Sequence, residues 1–236
     1  ATTLARETQL ADQPDALSDA IIYVPNSRSS RALILALYDA AGEKSILPPD
    51  VRTLGDLESE EAPPNAETAL VGLPPALSPA RRLGALAALV RKFYEAEYRI
   101  DLPPASALAA ARELSRLLDQ AALSAGADWS KLDGLVEESD LAAHWHRSVA
   151  FLKIITAAWP EWLNDNNAMD PFARRLAAAE ALAADWLANP PTAPVIIAGS
   201  TGATPAGRVL MKAALTLPKG LIVLPGLDMD ADADAW

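Results

Sequence analysis

The sequence predicts an α/β fold, in which a parallel sheet flanked by helices carries an inserted all-α helical subdomain. Three short, wholly apolar runs predict buried strands: AIIYVP (Ala20–Pro25), PVIIAG (Pro194–Gly199) and GLIVLPG (Gly220–Gly226). Runs of this kind are typical of parallel sheets that are covered on both faces. Two of the runs lead directly into helical patterns, and this alternation is typical of a βαβ unit.

Two further segments are weaker strand candidates, VRTL (Val51–Leu54) and ALVGL (Ala69–Leu73). The helical patterns that follow the first two strong strands read SRALILALYDAAG and AGRVLMKAALTL. Their apolar residues recur at spacings of three and four, which indicates helices with one buried face.

Between Pro79 and Asn189 the composition shifts to alanine and leucine, and four helices are predicted. Ser78 and Pro79 open the first as cap and first-turn proline. The second contains Leu108 to Leu118, the third Leu141 to Trp159, and Asp170-Pro171 opens the fourth. We therefore expect residues 1–76 and 191–236 to form the α/β domain, and residues 77–190 to form the inserted subdomain.

Composition narrows the classes of function. The 236 residues carry a net charge of −11, which works against loose binding to nucleic acid, so any such contact must be local. The absence of cysteine excludes disulfides, thiolate zinc sites and a cysteine nucleophile. No apolar run reaches the roughly 18 residues of a membrane span, and no signal peptide is visible. We expect a cytoplasmic protein without membrane contact.

The segment YVPNSRSSRA lies where the first strand gives way to a helix. Ligands of open α/β sheets bind at the carboxyl ends of strands, and a helix N-terminus with free N–H groups suits phosphate. Asn26, Ser27, Arg28 and Arg31 are therefore candidate phosphate contacts. The alternative is that Asn26 or Ser27 caps the helix and that both arginines are simply solvated.

The loop after the second strong strand has the G-x-x-x-x-G spacing of a phosphate-binding loop, from Gly202 to Gly207. Arg208 and Val209 stand where that motif requires Lys and then Ser or Thr, and Pro205 lacks an N–H group. These departures favour a tight turn between strand and helix. A nucleotide hydrolase that uses the Gly202–Arg208 loop remains the alternative.

Metal ligation has little support in the sequence. His144 and His146 are two residues apart and do not share a helix face. The alternating aspartates of DMDADADAW (228, 230, 232 and 234) begin like a calcium loop, but Ala233 replaces the turn glycine and the distal Glu is absent. We predict no metal site, no cofactor and no catalytic residue.

Five segments carry a resemblance to a known family: AIIYVPNSRSSRAL, LPPALSPARRLGALAALV, DGLVEESDLAAHWHRSVAFLKIITAAWPEWL, MDPFARRLAAAEALAADWLANPP and PVIIAGSTGATPAGRVLMKAALTLPKGLIVLPGLD. Together they resemble the N-terminal part of AddB proteins of the alphaproteobacterial type, which are subunits of the AddAB helicase–nuclease. The resemblance covers about Ala20 to Trp236.

The resemblance implies a P-loop-NTPase fold of the superfamily 1 helicase type, in a subunit that processes DNA double-strand breaks. It implies that YVPNSRSSRA takes the place of helicase motif Ia, which contacts single-stranded DNA, with Thr53 near a following DNA-contacting segment. Gly199-Ser200-Thr201 would replace the acids of the Walker B box, which argues against magnesium-assisted hydrolysis at that position. Thr201 is a further candidate DNA contact.

The resemblance also implies partners: an AddA-type helicase–nuclease subunit and single- or double-stranded DNA ends. The expected function is an inactivated helicase-like domain that guides single-stranded DNA and supports assembly. A pure protein-interaction scaffold, docking through its tryptophan-bearing helices without touching DNA, is the remaining alternative.

Overall fold

A computed structural model describes residues 15, 17–42, 45–54, 70, 72–124 and 148–226. The chain divides into two compact units. The first contains Ala1–Gly72 and Arg175–Trp236, and the second contains Leu73–Arg174. The expected subdomain boundaries at residues 77 and 190 stay a prediction.

Four parallel strands form one sheet in the first unit, so the predicted α/β class with a parallel sheet is confirmed. Along the sheet the order is β2-β1-β3-β4, and every neighbouring pair is parallel. All three strong strand predictions are confirmed, and VRTL corresponds to the second strand. The strands are β1 (Ile21–Val24), β2 (Asp50–Thr53), β3 (Val195–Ala198) and β4 (Gly220–Val223).

The strand predicted at ALVGL is wrong for the residues that are described. Leu70 is helical, Gly72 lies in a turn and Leu73 in a bend, while Ala69 and Val71 lie outside the described residues. A short apolar run is compatible with helix or strand, and only pairing with a neighbouring strand decides between them.

Six α-helices are described beside the sheet strands. None of the helices in the described ranges is long and apolar enough to cross a bilayer. In chain order they are α1 (Ser27–Ala41), α2 (Pro79–Tyr98), α3 (Pro104–Leu123), α4 (Trp159–Asp165), α5 (Pro171–Ala188) and α6 (Pro205–Ala214).

The strand order creates a switch point between β1 and β3. Helix α1 connects β1 to β2 on one side, and α6 connects β3 to β4 on the other. Because such crossovers are right-handed, helices that lead in opposite directions along a sheet lie on opposite faces. Leu33 and Leu37 of α1 pack in one buried cluster with Ile22 and Ile196 of the strands.

The opposite face of β1 carries Tyr23, which is 1% exposed. Its ring lies 5.7 Å from that of Trp186 in α5. Burial raises the pKa of the Tyr23 hydroxyl to about 12, and its oxygen has no hydrogen-bond partner among the described residues. This ring therefore supports the sheet through apolar packing, while its hydroxyl costs free energy.

Glycine is required where β4 begins. Ala214 is the last residue of α6, and a Cβ atom at Gly220 would lie 1.7 Å from its carbonyl oxygen. This distance is far shorter than a van der Waals contact. The connection from α6 to β4 therefore requires a residue without a Cβ atom at position 220.

In the second unit, α2 and α3 pack around a core that includes Leu86, Val90 and Leu114. Residues 148–153 are helical and continue into a π-helix, Ile154–Ala158, before α4. Pro160 follows at the start of α4 and has no N–H group to donate. The predicted third helix is thus confirmed from residue 148 onward, whereas Leu141, Trp145 and both histidines lie outside the described residues.

The second unit is joined internally by Arg82, which is only 6% exposed. Its Nε donates to Asp170 Oδ2 at 2.8 Å, and its Nη1 donates to Asp119 Oδ1 at 2.7 Å and to Ser115 Oγ at 3.0 Å. Asp170 also accepts from the Phe172 N–H at 3.2 Å. One guanidinium therefore connects α2, α3 and the first turn of α5.

Candidate functional site at the carboxyl edge of the sheet

The loops that follow β1 and β3 come together at the switch point. A Cβ atom at Gly199 would lie 3.8 Å from Pro25 Cδ, so the two loops are in near contact. The Leu54 N–H donates to the Val24 carbonyl at 2.8 Å, which places the end of β2 beside the same loop. In open α/β sheets, this edge is where ligands bind.

Asn26 caps α1, as one of the two alternatives for it predicts. Its Oδ1 accepts from the Ser29 N–H at 2.9 Å and from Ser29 Oγ at 3.2 Å. The cap fixes the direction of the helix and uses the side-chain oxygen of Asn26. Ser27 is exposed beside it as the first helical residue.

Arg28 and Arg31 are exposed in the first two turns of α1. The first turn contains no acidic residue, and neither guanidinium makes a hydrogen bond or ion pair within the described ranges. They differ in this respect from Arg82, whose Nε and Nη1 groups donate to two carboxylates and a hydroxyl of the fold. Two positive side chains are therefore available to an anion beside the helix N-terminus.

Thr53 and Thr201 lie at the same edge of the sheet. Thr53 is the last residue of β2, is half-buried and pairs in register with Val24. Thr201 is exposed in the loop after β3, between Gly199 and Gly202, whose φ angles are +72° and +68°. The fold thus places Asn26, Thr53 and Thr201 at the carboxyl ends of neighbouring strands. Their role as DNA contacts stays a prediction.

The loop from Gly199 to α6 binds to itself. Ser200 Oγ accepts from the Gly202 N–H at 3.2 Å, and Thr204 Oγ1 accepts from the Gly207 N–H at 3.1 Å. A Cβ at Gly207 would lie 3.0 Å from Thr204 Oγ1, so a larger residue there would crowd the capping hydroxyl. Two N–H groups of this loop, those of Gly202 and Gly207, are thus bonded to hydroxyls of the same loop and do not face a phosphate.

The side chain of Arg208 contacts the loop that precedes its own helix. Its Nη1 donates to the Gly202 carbonyl at 2.9 Å and to the Ala203 carbonyl at 3.2 Å. The guanidinium therefore stabilises the loop conformation by donating to two of its carbonyl groups. These contacts favour the tight turn over the phosphate-binding loop, because the charge that would replace the missing Lys is already used.

The site carries cations and hydroxyls but little capacity for proton transfer or metal binding. Residues 25–27 and 199–204 contain no Asp, Glu or His. Among the described residues, no group of three or more His, Asp or Glu side chains could hold a metal ion. The aspartates at 228 to 234 lie outside the described residues. The arrangement fits binding of an anion better than chemistry on it.

Sequence reasoning missed two features, one in the loop that leads into α6 and one on helix α1. The contact of Arg208 with its own loop depends on loop conformation and leaves no pattern in the sequence. The exposed Leu35 and Tyr38 of α1 could have been found, because they share a helix face with Arg28 and Arg31 at spacings of three and four.

A comparison with protein-family models and with curated proteins finds no match for this chain.

Proposed function

We propose that this chain is the helicase-like region of an AddB-type subunit of a double-strand-break repair complex. In this proposal it guides single-stranded DNA over the carboxyl edge of its sheet and supports assembly with an AddA-type subunit. The observation that carries the proposal is the pair of exposed arginines, Arg28 and Arg31, which make no hydrogen bond or ion pair with the described residues. They lie beside residues 25–27 and 199–204, which contain no Asp or Glu.

Three further features support the proposal. The parallel sheet with a switch point is compatible with the helicase type of α/β fold, and the chain shows the sequence resemblance described above. Gly199-Ser200-Thr201 offers no carboxylate to hold a magnesium ion, and Arg208 is engaged by loop carbonyls. A domain of this kind is suited to holding a strand without hydrolysing nucleotide.

The test is a fluorescence-anisotropy titration with labelled single-stranded DNA across a range of salt concentrations. We expect weak binding, because the protein carries a net charge of −11. Binding should fall steeply with salt, because contacts between arginines and phosphates release counterions. Arg28→Ala combined with Arg31→Ala should weaken binding and reduce the magnitude of the log–log salt slope by about 1.4, the value for two lost single-strand phosphate contacts.

Lys92→Ala combined with Arg112→Ala is the matched control, because it removes two exposed cations from the second unit. This control should leave the salt slope unchanged if the site lies on the first unit. Equal loss of binding in both double variants would assign the effect to overall charge and remove the site from α1.

Nucleotide hydrolysis by the Gly202–Arg208 loop makes the opposite prediction. A hydrolase should be stabilised against heat by ATP with magnesium and should release phosphate. We expect no shift of the melting temperature, because the loop N–H groups and Arg208 are bonded internally. An ATP-dependent shift that Arg208→Ala abolishes would replace the DNA-guiding proposal with this one.

A further inference from the structure

The outward face of α1 exposes cationic and apolar side chains in a single row. Arg28, Arg31, Leu35 and Tyr38 follow one another at spacings of three, four and three, so they share one face of the helix. Leu35 is 64% exposed and Tyr38 is 42% exposed, whereas Leu33, Leu37 and Ala41 on the inner face are buried. The row is therefore a surface and does not belong to the core.

The two ends of this row differ in charge. Arg28 and Arg31 are exposed at one end and have no hydrogen bond or ion pair with the described residues. At the other end, Asp39 is exposed directly after Tyr38 and would repel an anion there. The first end thus favours phosphate, and the second favours an uncharged, flat group.

A ligand that fills the whole row must offer both chemistries. Free phosphate would leave Leu35 and Tyr38 uncovered, and a DNA duplex keeps its bases stacked inside. Single-stranded nucleic acid presents phosphates and unstacked bases together, and aromatic side chains beside cations are its usual binding surface. From Arg28 to Tyr38 the row rises about 15 Å, roughly the rise of four stacked nucleotides.

We propose that a single strand runs along the outward face of α1, with phosphates on Arg28 and Arg31 and a base stacked on Tyr38 beside Leu35. This inference rests on the proposed function and adds to it a base contact and the path of the strand along α1. It makes the protein a reader of single-strandedness, because a duplex has no free base to place on Tyr38.

The test compares two probes that carry the same number of phosphates. One is a single-stranded oligothymidylate and the other is an abasic oligonucleotide of equal length. Tyr38→Ala should weaken binding of the oligothymidylate by about five-fold or more and leave binding of the abasic probe unchanged. Tyr38→Phe should retain binding, because stacking requires the ring and not the hydroxyl.

Two variants serve as controls for this comparison. Tyr98→Ala removes another partly exposed tyrosine, 38% exposed in the second unit, and should change binding of neither probe. Arg28→Ala with Arg31→Ala should weaken binding of both probes, because both contain phosphates.

The outcomes separate this inference from the function on which it rests. If the arginine double variant weakens binding but Tyr38→Ala does not, the base contact is overturned and the DNA-guiding proposal stands. Equal affinity of the unaltered protein for both probes overturns the base contact as well. If neither the arginines nor Tyr38 affect binding, both proposals fail, and Leu35 and Tyr38 would then suit a protein partner.

Discussion

The buried Arg82 offers the most direct test of how the second unit is held together. Arg82→Met keeps most of the hydrocarbon stem but removes the charge and the donors to Asp170, Asp119 and Ser115. The carboxylate of Asp170 would remain in place with its side chain 11% exposed and without its cation. An uncompensated buried charge is the costly product of this substitution.

The expected loss of unfolding free energy is about 3 kcal/mol, the lower end of the range for breaking a buried ion pair. The lower end applies for two reasons. Asp119 is 34% exposed and regains water, and Nη2 of Arg82 lies buried without a hydrogen-bond partner among the described residues. Arg91→Met is the matched control. Its 2.7 Å pair with Asp101 is 49% and 87% exposed, so its removal should cost less than about 1 kcal/mol.

The assay is urea denaturation followed by tryptophan fluorescence, since Trp159 and Trp162 lie in the same unit as Arg82. The double variant Arg82→Met with Asp170→Asn should recover part of the loss, because it removes the stranded charge as well. If Arg82→Met costs no more than Arg91→Met, or if the double variant recovers nothing, the reasoning from burial is refuted.

Two further predictions concern the sheet. Gly220→Ala should destabilise the first unit by several kcal/mol, since the added Cβ would lie 1.7 Å from the Ala214 carbonyl oxygen. The measurement is a thermal melt. Gly226→Ala is the control, because a Cβ there would meet no described atom within 4 Å. Tyr23→Phe should stabilise the protein by about 1 kcal/mol, because the buried hydroxyl has no hydrogen-bond partner in the part of the chain that the structure describes. The folded-state pKa of Tyr23 is raised from 10.0 to about 12, so stability that is intact below pH 10 should fall as the pH rises toward 12. An alkaline melt in which Tyr23→Phe loses stability over that interval as steeply as the unaltered protein would contradict the assignment.

Local signals were enough to predict most of the elements. The apolar runs that became β1, β3 and β4 are continuous because both faces of those strands are covered, and this pattern needs no knowledge of the partner strand. The caps at Asn26 and Ser78 also act within one turn, and both side chains accept from the N–H three residues on. Signals that act over three or four residues are legible in a single sequence.

The segment ALVGL shows where such signals stop. A run of five apolar residues is compatible with a buried strand and with a helix, and in the structure Leu70 is helical. The Gly202–Arg208 loop shows a second limit. Its spacing resembled a phosphate loop, but the directions of the Arg208 guanidinium and of the loop N–H groups decide its character. Those directions depend on backbone conformation, which residue spacing does not specify.

By itself, the sequence determined the α/β class, the main strands, the helix caps and the positions of Arg28 and Arg31 at the start of a helix. Only the tertiary structure decided the strand order β2-β1-β3-β4 and with it the switch point at Pro25 and Gly199. It alone decided that Arg82 is buried, since its partners lie 37 and 88 residues away along the chain. The physical reason is the same in each case: strand pairing and buried charge pairs are contacts between distant residues, and their free energy is realised only when the chain has folded around them.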